Sequence, residues 1–134
     1  MTPVPVTLLT AAAAVGLNIW LGWRISRLRH EYKVSVGDGG HESLLRRMRA
    51  QANFVENAPL FVILLGALEL SGASRIGLAV IAMIFILARI AHGIGMDGGS
   101  VGIWRRNGIL TSSVVIVALA AWAIVCAGRA LLGS

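Results

Sequence analysis

The sequence predicts an all-α fold: an integral membrane four-helix bundle, up-down and antiparallel, in a single domain spanning residues 1–134. Three observations carry that expectation. Hydrophobic residues make up 57% of the chain and charged residues only 13%, against about 25% charged in soluble domains. Four apolar runs, at about 4–23, 50–70, 76–95 and 109–132, each approach the roughly 20 residues that a helix needs to cross a bilayer. The basic residues between the runs are distributed unevenly, as they are around membrane spans.

The first run resembles a signal peptide in length. However, no Lys or Arg precedes it, and "WRISRLRHEYK" follows it as a stop-transfer flank, so it is expected to stay as a span. The long hydrophilic connection that comes next contains "GDGGH", a helix-breaking turn cluster. The glycines lack the Lys-Ser/Thr that completes a phosphate-binding loop. The second connection, "SGASR", is short enough to fold the second and third spans into an antiparallel hairpin. The third, "MDGGSVGIWRRNG", is glycine-rich and basic, and leads into the fourth span. The single cysteine, Cys126, lies within that last run. It therefore forms no intrachain disulfide and reads as a small core residue.

The formal charge of +6 does not indicate a nucleic-acid partner. Ten of the twelve Lys and Arg residues flank or occupy two of the three connections: Arg24, Arg27, Arg29, Lys33, Arg46, Arg47, Arg49, Arg89, Arg105 and Arg106. Only Arg75 and Arg129 belong to the opposite side. The positive-inside rule then places both basic loops in the cytoplasm and both termini outside.

One stretch departs from the apolar pattern. In "RAQANFVENAP", Arg49, Asn53 and Glu56 continue from Arg46 at spacings of 3, 4 and 3. At about 100° per residue these four project within roughly an 80° sector, with Asn57 at its edge and Gln51 on the opposite side. The third span carries a sparser stripe of Arg89, His92 and Met96. Polar groups at membrane depth face a bundle interior, a cavity or another subunit. The two stripes are therefore expected to meet across a pocket at the basic end. A simple ion pair between Glu56 and Arg89, with Asn53 as an interhelical hydrogen bond, is the plainer alternative. No second His or Cys stands at metal-ligand spacing from His92, so no metal is expected.

Arginines clamp carboxylates bidentately and a glutamate receives an ammonium. The inventory suits a small anion with two carboxylates and one amine, such as glutathione, although phosphate-bearing or lipid head groups fit nearly as well.

With these residues in view, the sequence resembles the MAPEG family (membrane-associated proteins in eicosanoid and glutathione metabolism), and within it the bacterial inner-membrane branch and the microsomal glutathione transferases. "RAQANFVENAPLF" is similar to the family's second-helix signature, "ARIAHGIG" to its third-helix pattern, "WRRNGILTS" to the start of its fourth helix, and "YKVSVGDGGH" to the bacterial branch. The resemblance implies a homotrimer that binds glutathione, or a similar thiol, between subunits near the cytoplasmic face of the inner membrane. Arg49, Asn53 and Glu56 match the glutathione-contacting positions of the second helix, Arg89 and His92 those of the third, and Arg29 a basic position of the first. One of Arg105 and Arg106 matches the arginine that stabilises the thiolate; Arg106, nearer the fourth apolar run, is the preferred catalytic residue. His92 and Met96 stand where tyrosines are common in the family, and Asn57 stands where the leukotriene-forming synthase has one. These departures turn the expectation away from eicosanoid synthesis.

The resemblance thus implies a glutathione transferase or peroxidase acting on hydrophobic electrophiles that partition into the bilayer, in detoxification. Its competitor is a non-catalytic membrane trimer that binds lipid or thiol and serves a partner protein. A small four-span exporter would need an acidic residue in the first span, which holds Asn18 but no Asp or Glu.

Overall fold

The computed structural model describes residues 3–98 and 102–133. The chain forms four helices: α1 Pro5–Tyr32, α2 Glu42–Leu70, α3 Arg75–Gly95 and α4 Ile103–Leu132. All four are long and apolar enough to cross a membrane. Three of them outrun the apolar segments that reveal them. The 28 residues of α1 rise about 42 Å, well beyond a hydrocarbon core of about 30 Å. The polar continuation "RISRLRHEY" contains no Gly or Pro, so nothing stops the helix until Lys33 takes the left-handed conformation at φ 55°. Similarly, α2 begins at Glu42, eight residues before its apolar run, and α4 begins at Ile103 rather than near residue 109. "WRRNG" is therefore the first part of a helix, not the end of a loop.

The turns behave as their composition dictates. Gly37, Gly39 and Gly40 all have positive φ, and the Asp38 carboxylate accepts the Gly40 amide at 3.0 Å. Tyr32 closes this corner by stacking on His41 at 4.0 Å between ring centroids, above a small core of Ile25, Leu28 and Leu44. Between α2 and α3 only residues 71–74 intervene, with Gly72 at φ 83° and the Ser74 hydroxyl accepting the Gly77 amide to cap α3.

Consecutive helices run antiparallel. α2 and α3 form the middle of the bundle; α1 packs on both, α4 packs on both, and α1 makes no packing contact with α4 among the described residues. The central core is built on the parallel-stacked rings of Phe61 and Phe85, 4.0 Å apart, with Leu65, Leu78 and Leu119 fully buried around them. Large apolar side chains such as Leu9, Ile19, Ile63, Ile76 and Ile124 point outward, as they do where lipid replaces water.

At the α3–α4 crossing the two backbones approach closely. A Cβ at Gly108 would lie 2.6 Å from the His92 amide nitrogen and 2.7 Å from the Ala88 carbonyl oxygen. A Cβ at Gly95 would lie 2.3 Å from the Arg105 nitrogen. The lack of a side chain at these two positions lets α4 enter the bundle against the last turns of α3, and this sets where Arg105 stands.

Candidate functional site

The polar stripe of α2 opens onto a cleft at the basic end of the bundle. Arg49, Ala52, Asn53 and Glu56 form one wall, His92 and Met96 of α3 the floor, and Arg105 of α4 the far side. The two stripes expected to meet therefore do so, but not through a Glu56–Arg89 pair. Arg89 is 2% exposed and lies behind the wall. Its guanidinium donates to Asn53 Oδ1 at 2.6 Å and to Ser112 Oγ at 3.2 Å. Ser112 in turn donates to the Gly108 carbonyl at 2.9 Å. One buried cation thus ties α2, α3 and α4 together. With Oδ1 of Asn53 occupied by an arginine, the amide NH2 is the group Asn53 offers to the cleft.

His92 is fixed from the other side. Its Nδ1 lies 3.2 Å from the Arg105 carbonyl oxygen. A carbonyl only accepts, so Nδ1 is the protonated nitrogen of the neutral ring. The same contact binds the first turn of α4 to α3. The half-buried Arg105 side chain reaches the cleft, whereas Arg106, one residue on and about 100° around the helix, is exposed and lies outside it. The sequence-based preference for Arg106 rested on its nearness to the fourth apolar run; in the fold, with α4 starting at Ile103, Arg105 is the arginine that lines this chain's own cleft.

Arg29 is not brought to this cleft. It remains in the α1–α2 corner, where it donates to the Gly37 carbonyl at 3.5 Å and to Met48 Sδ at 3.8 Å. Arg46 is paired with Glu42 one turn earlier at 2.6 Å. Asn57 folds back onto the Asn53 carbonyl at 2.8 Å, and Gln51 faces α1, donating to Asn18 at 3.3 Å. Of the α2 stripe, three side chains serve the cleft: Arg49 and Glu56, both exposed, and Asn53. Neither Arg49 nor Glu56 is in an ion pair among the described residues.

The cleft measures about 170 Å³, below the roughly 300–1,000 Å³ of small-molecule sites. With Arg49 and Arg105 against the single carboxylate of Glu56, it is net positive. A second, apolar groove of about 610 Å³ runs along α3 and α4, lined by Leu87, Ala91, Ile94, Trp104, Asn107 and Thr111 among others.

Sequence reasoning missed the element that holds the cleft's rim. Asp97, just past α3, accepts from Arg24 of α1 and, at 2.8 Å, from Arg47 of α2. Arg24 is buried, lies over the Trp20 ring at 4.5 Å, and also donates to the Gly93 carbonyl at 2.8 Å. Arg47 donates as well to the Arg24 carbonyl at 3.0 Å. The signal was present as an acidic residue in "MDGG" facing two basic flanks, but nothing local in the sequence pairs them.

Comparison with known proteins agrees with this architecture. The chain is 29% identical over 104 residues, covering 78% of it and 79% of the relative, to the inner membrane protein YecN of Escherichia coli K12. The same protein from Escherichia coli O6:H1 matches equally. The model of the MAPEG family matches residues 7–125, nearly all of the helical bundle and every residue of the cleft, and the chain belongs to that family.

Proposed function

We propose that this chain is a glutathione-binding protein of the bacterial inner membrane that acts as a glutathione transferase or peroxidase on hydrophobic electrophiles. The observation that carries the reading is the convergence of Arg49, Asn53, Glu56, His92 and Arg105 on one cleft. Arg49 supplies a guanidinium for a ligand carboxylate, Asn53 an amide donor, and Glu56 an acceptor for the ligand ammonium. The Arg105 guanidinium favours thiolate over thiol. The thiolate then attacks an electrophile delivered through the bilayer, for which the apolar α3–α4 groove offers a seat.

The modest volume of the cleft and the exposure of Arg49 and Glu56 support a site completed by a neighbouring subunit in a homotrimer, with Arg29 and Arg106 available to that neighbour. Both termini lie outside and the basic end faces the cytoplasm, where glutathione is.

Calorimetry on the detergent-purified protein, paired with conjugation of a chromogenic electrophile, tests the proposal. Wild type should bind glutathione and turn over. Arg105→Ala should keep most of the affinity and lose turnover together with the ultraviolet absorbance of bound thiolate, while Arg106→Ala should do so only if the neighbouring subunit supplies the activating arginine. Glutathione binding without conjugation would make the protein a binding trimer instead, and no binding would overturn the reading.

A further inference from the structure

Forming a thiolate requires that the thiol proton go to some atom, and the walls of the cleft limit the choice. Arg49 and Arg105 stay protonated and accept nothing. Asn53 has its oxygen committed to Arg89, and Ala52 and Met96 offer no base. Glu56 is the partner required by the ligand ammonium in the reading above. The single tyrosine, Tyr32, is stacked on His41 and bonded to Ser43 at 2.9 Å, away from the cleft. His92 remains.

Its geometry suits the task. Because Nδ1–H is held on the Arg105 carbonyl, the lone pair resides on Nε2. Among the described residues Nε2 makes no hydrogen bond, and it is not one of the sealed, unpartnered side-chain nitrogens, which are Nε of Arg29, Arg46 and Arg89. His92 lines the cleft, so Nε2 is the ring nitrogen left for a ligand seated there. The carbonyl that fixes the ring belongs to the residue whose guanidinium stands beside the sulfur in the proposed mechanism. One residue thus orients the base with its backbone and the thiolate with its side chain.

We propose that His92 is the proton acceptor for the bound thiol, an inference that rests on the glutathione reading and deepens it. The S–H bond breaks, its proton passes to Nε2, and sulfur keeps the electron pair beside Arg105. When the thiolate adds to an activated alkene, an S–C bond forms and the π pair moves onto the electrophile's oxygen as an enolate. The imidazolium then returns the proton to the enolate, and His92 is neutral again. The charged groups around the ring are Arg49 and Glu56 from α2, Arg89 from its own helix, Arg105 from α4, and Arg24 of α1, bonded to the adjacent Gly93 carbonyl and paired with Asp97 just past α3. A thiolate between Arg105 and the imidazolium offsets this crowd of cations.

His92→Asn separates the two roles of the ring, because the Asn amide can still donate to the Arg105 carbonyl but has no base at Nε2. Glutathione affinity should stay within a few-fold of wild type. The rise of bound-thiolate absorbance with pH should move up toward the free thiol's range near about 8.5, and turnover at pH 7 should fall about 10²-fold or more, partly restored by added imidazole. An unchanged pH profile in His92→Asn, with glutathione still bound, would overturn the base while leaving the glutathione site standing. Absence of binding to wild type would overturn both. Should His92→Asn not fold, wild type alone decides. Glutathione binding measured in buffers of different ionisation enthalpy should release almost no proton at pH 7, because His92 keeps it. Release of nearly one proton per site would show that the arginine acts alone.

Discussion

Two glutamates of the same helix, Glu56 and Glu69, show how one residue type serves opposite ends of this molecule. Glu69 is fully buried, its side chain 0% exposed. Its carboxylate accepts the Val6 amide at 3.1 Å, the Thr7 amide at 2.8 Å and the Thr7 hydroxyl at 2.7 Å. It caps the start of α1, whose own N-cap residue, Val4, provides no side-chain acceptor, and there it also meets the positive end of the helix dipole. Arg75 stands 3.9 Å away. Glu56 is exposed and has no hydrogen bond or ion pair within the described chain. At the buried end the carboxylate accepts three hydrogen bonds; at the cleft the acceptor is left open. A charged side chain on a membrane helix is thus a structural cap in one case and, in the function proposed above, a binding group in the other.

The largest expected effect tests the closed end. Glu69→Ala removes the acceptor for three donors at once, and should destabilise the detergent-solubilised protein by about 3–5 kcal/mol, measured by thermal or denaturant unfolding. An unaltered unfolding midpoint would break the contrast between the two glutamates. At the open end, Glu56→Gln should leave unfolding within about 0.5 kcal/mol of wild type. It should weaken glutathione by roughly 1.5–3 kcal/mol, read by calorimetry; a loss of stability instead would assign Glu56 to the fold.

Asp97→Asn lies between these cases, since it joins rigid and open parts. It leaves the buried Arg24 guanidinium without its counter-ion, so unfolding should be easier by about 1–3 kcal/mol. Because Asp97 ties the end of α3, beside Met96 of the cleft, to α1 and α2, glutathione affinity should also fall, and changes in only one of the two readouts would separate rim from core. Gly108→Ala forces α4 away from the α3 backbone and should cost about 1–3 kcal/mol. Gly16→Ala, where an added Cβ meets nothing within 4 Å, should change stability by less than about 0.5 kcal/mol.

The same pair of glutamates shows what the sequence makes legible. The α2 stripe was readable because Arg49, Asn53 and Glu56 interrupt an apolar run at helical spacing, and polar interruptions of a span stand out against it. The four spans were readable for the complementary reason. Hydropathy, however, reports the length in contact with lipid and not the length of the helix, so it is silent on where α1 stops at Lys33 and where α4 starts at Ile103. The choice between Arg105 and Arg106 was out of reach for a related reason: both lie in the first turn of α4, about 100° apart, and only the α3–α4 crossing shows which one lines this chain's cleft. Glu69 bonds to Val6 and Thr7, 63 and 62 positions away, and Asp97 to Arg24 and Arg47, 73 and 50 positions away, and no local pattern encodes them. His92 drew attention as a site residue, but its tautomer depends on a carbonyl 13 residues on, which only the folded α3–α4 crossing supplies.

The attachment of α1 also bears on how the chain is made. α1 touches α2 and α3 but not α4 among the described residues, and its two ends are fastened by carboxylates that emerge later, Glu69 and then Asp97. During synthesis α1 enters the bilayer before either fastener exists. Its Arg24 can snorkel to the interface until α3 has been threaded, and the amides of Val6 and Thr7 wait for the far end of α2. The first helix to be inserted is therefore among the last to be locked. A ribosome paused before residue 69 would hold a membrane-inserted α1 that has neither of its two fasteners.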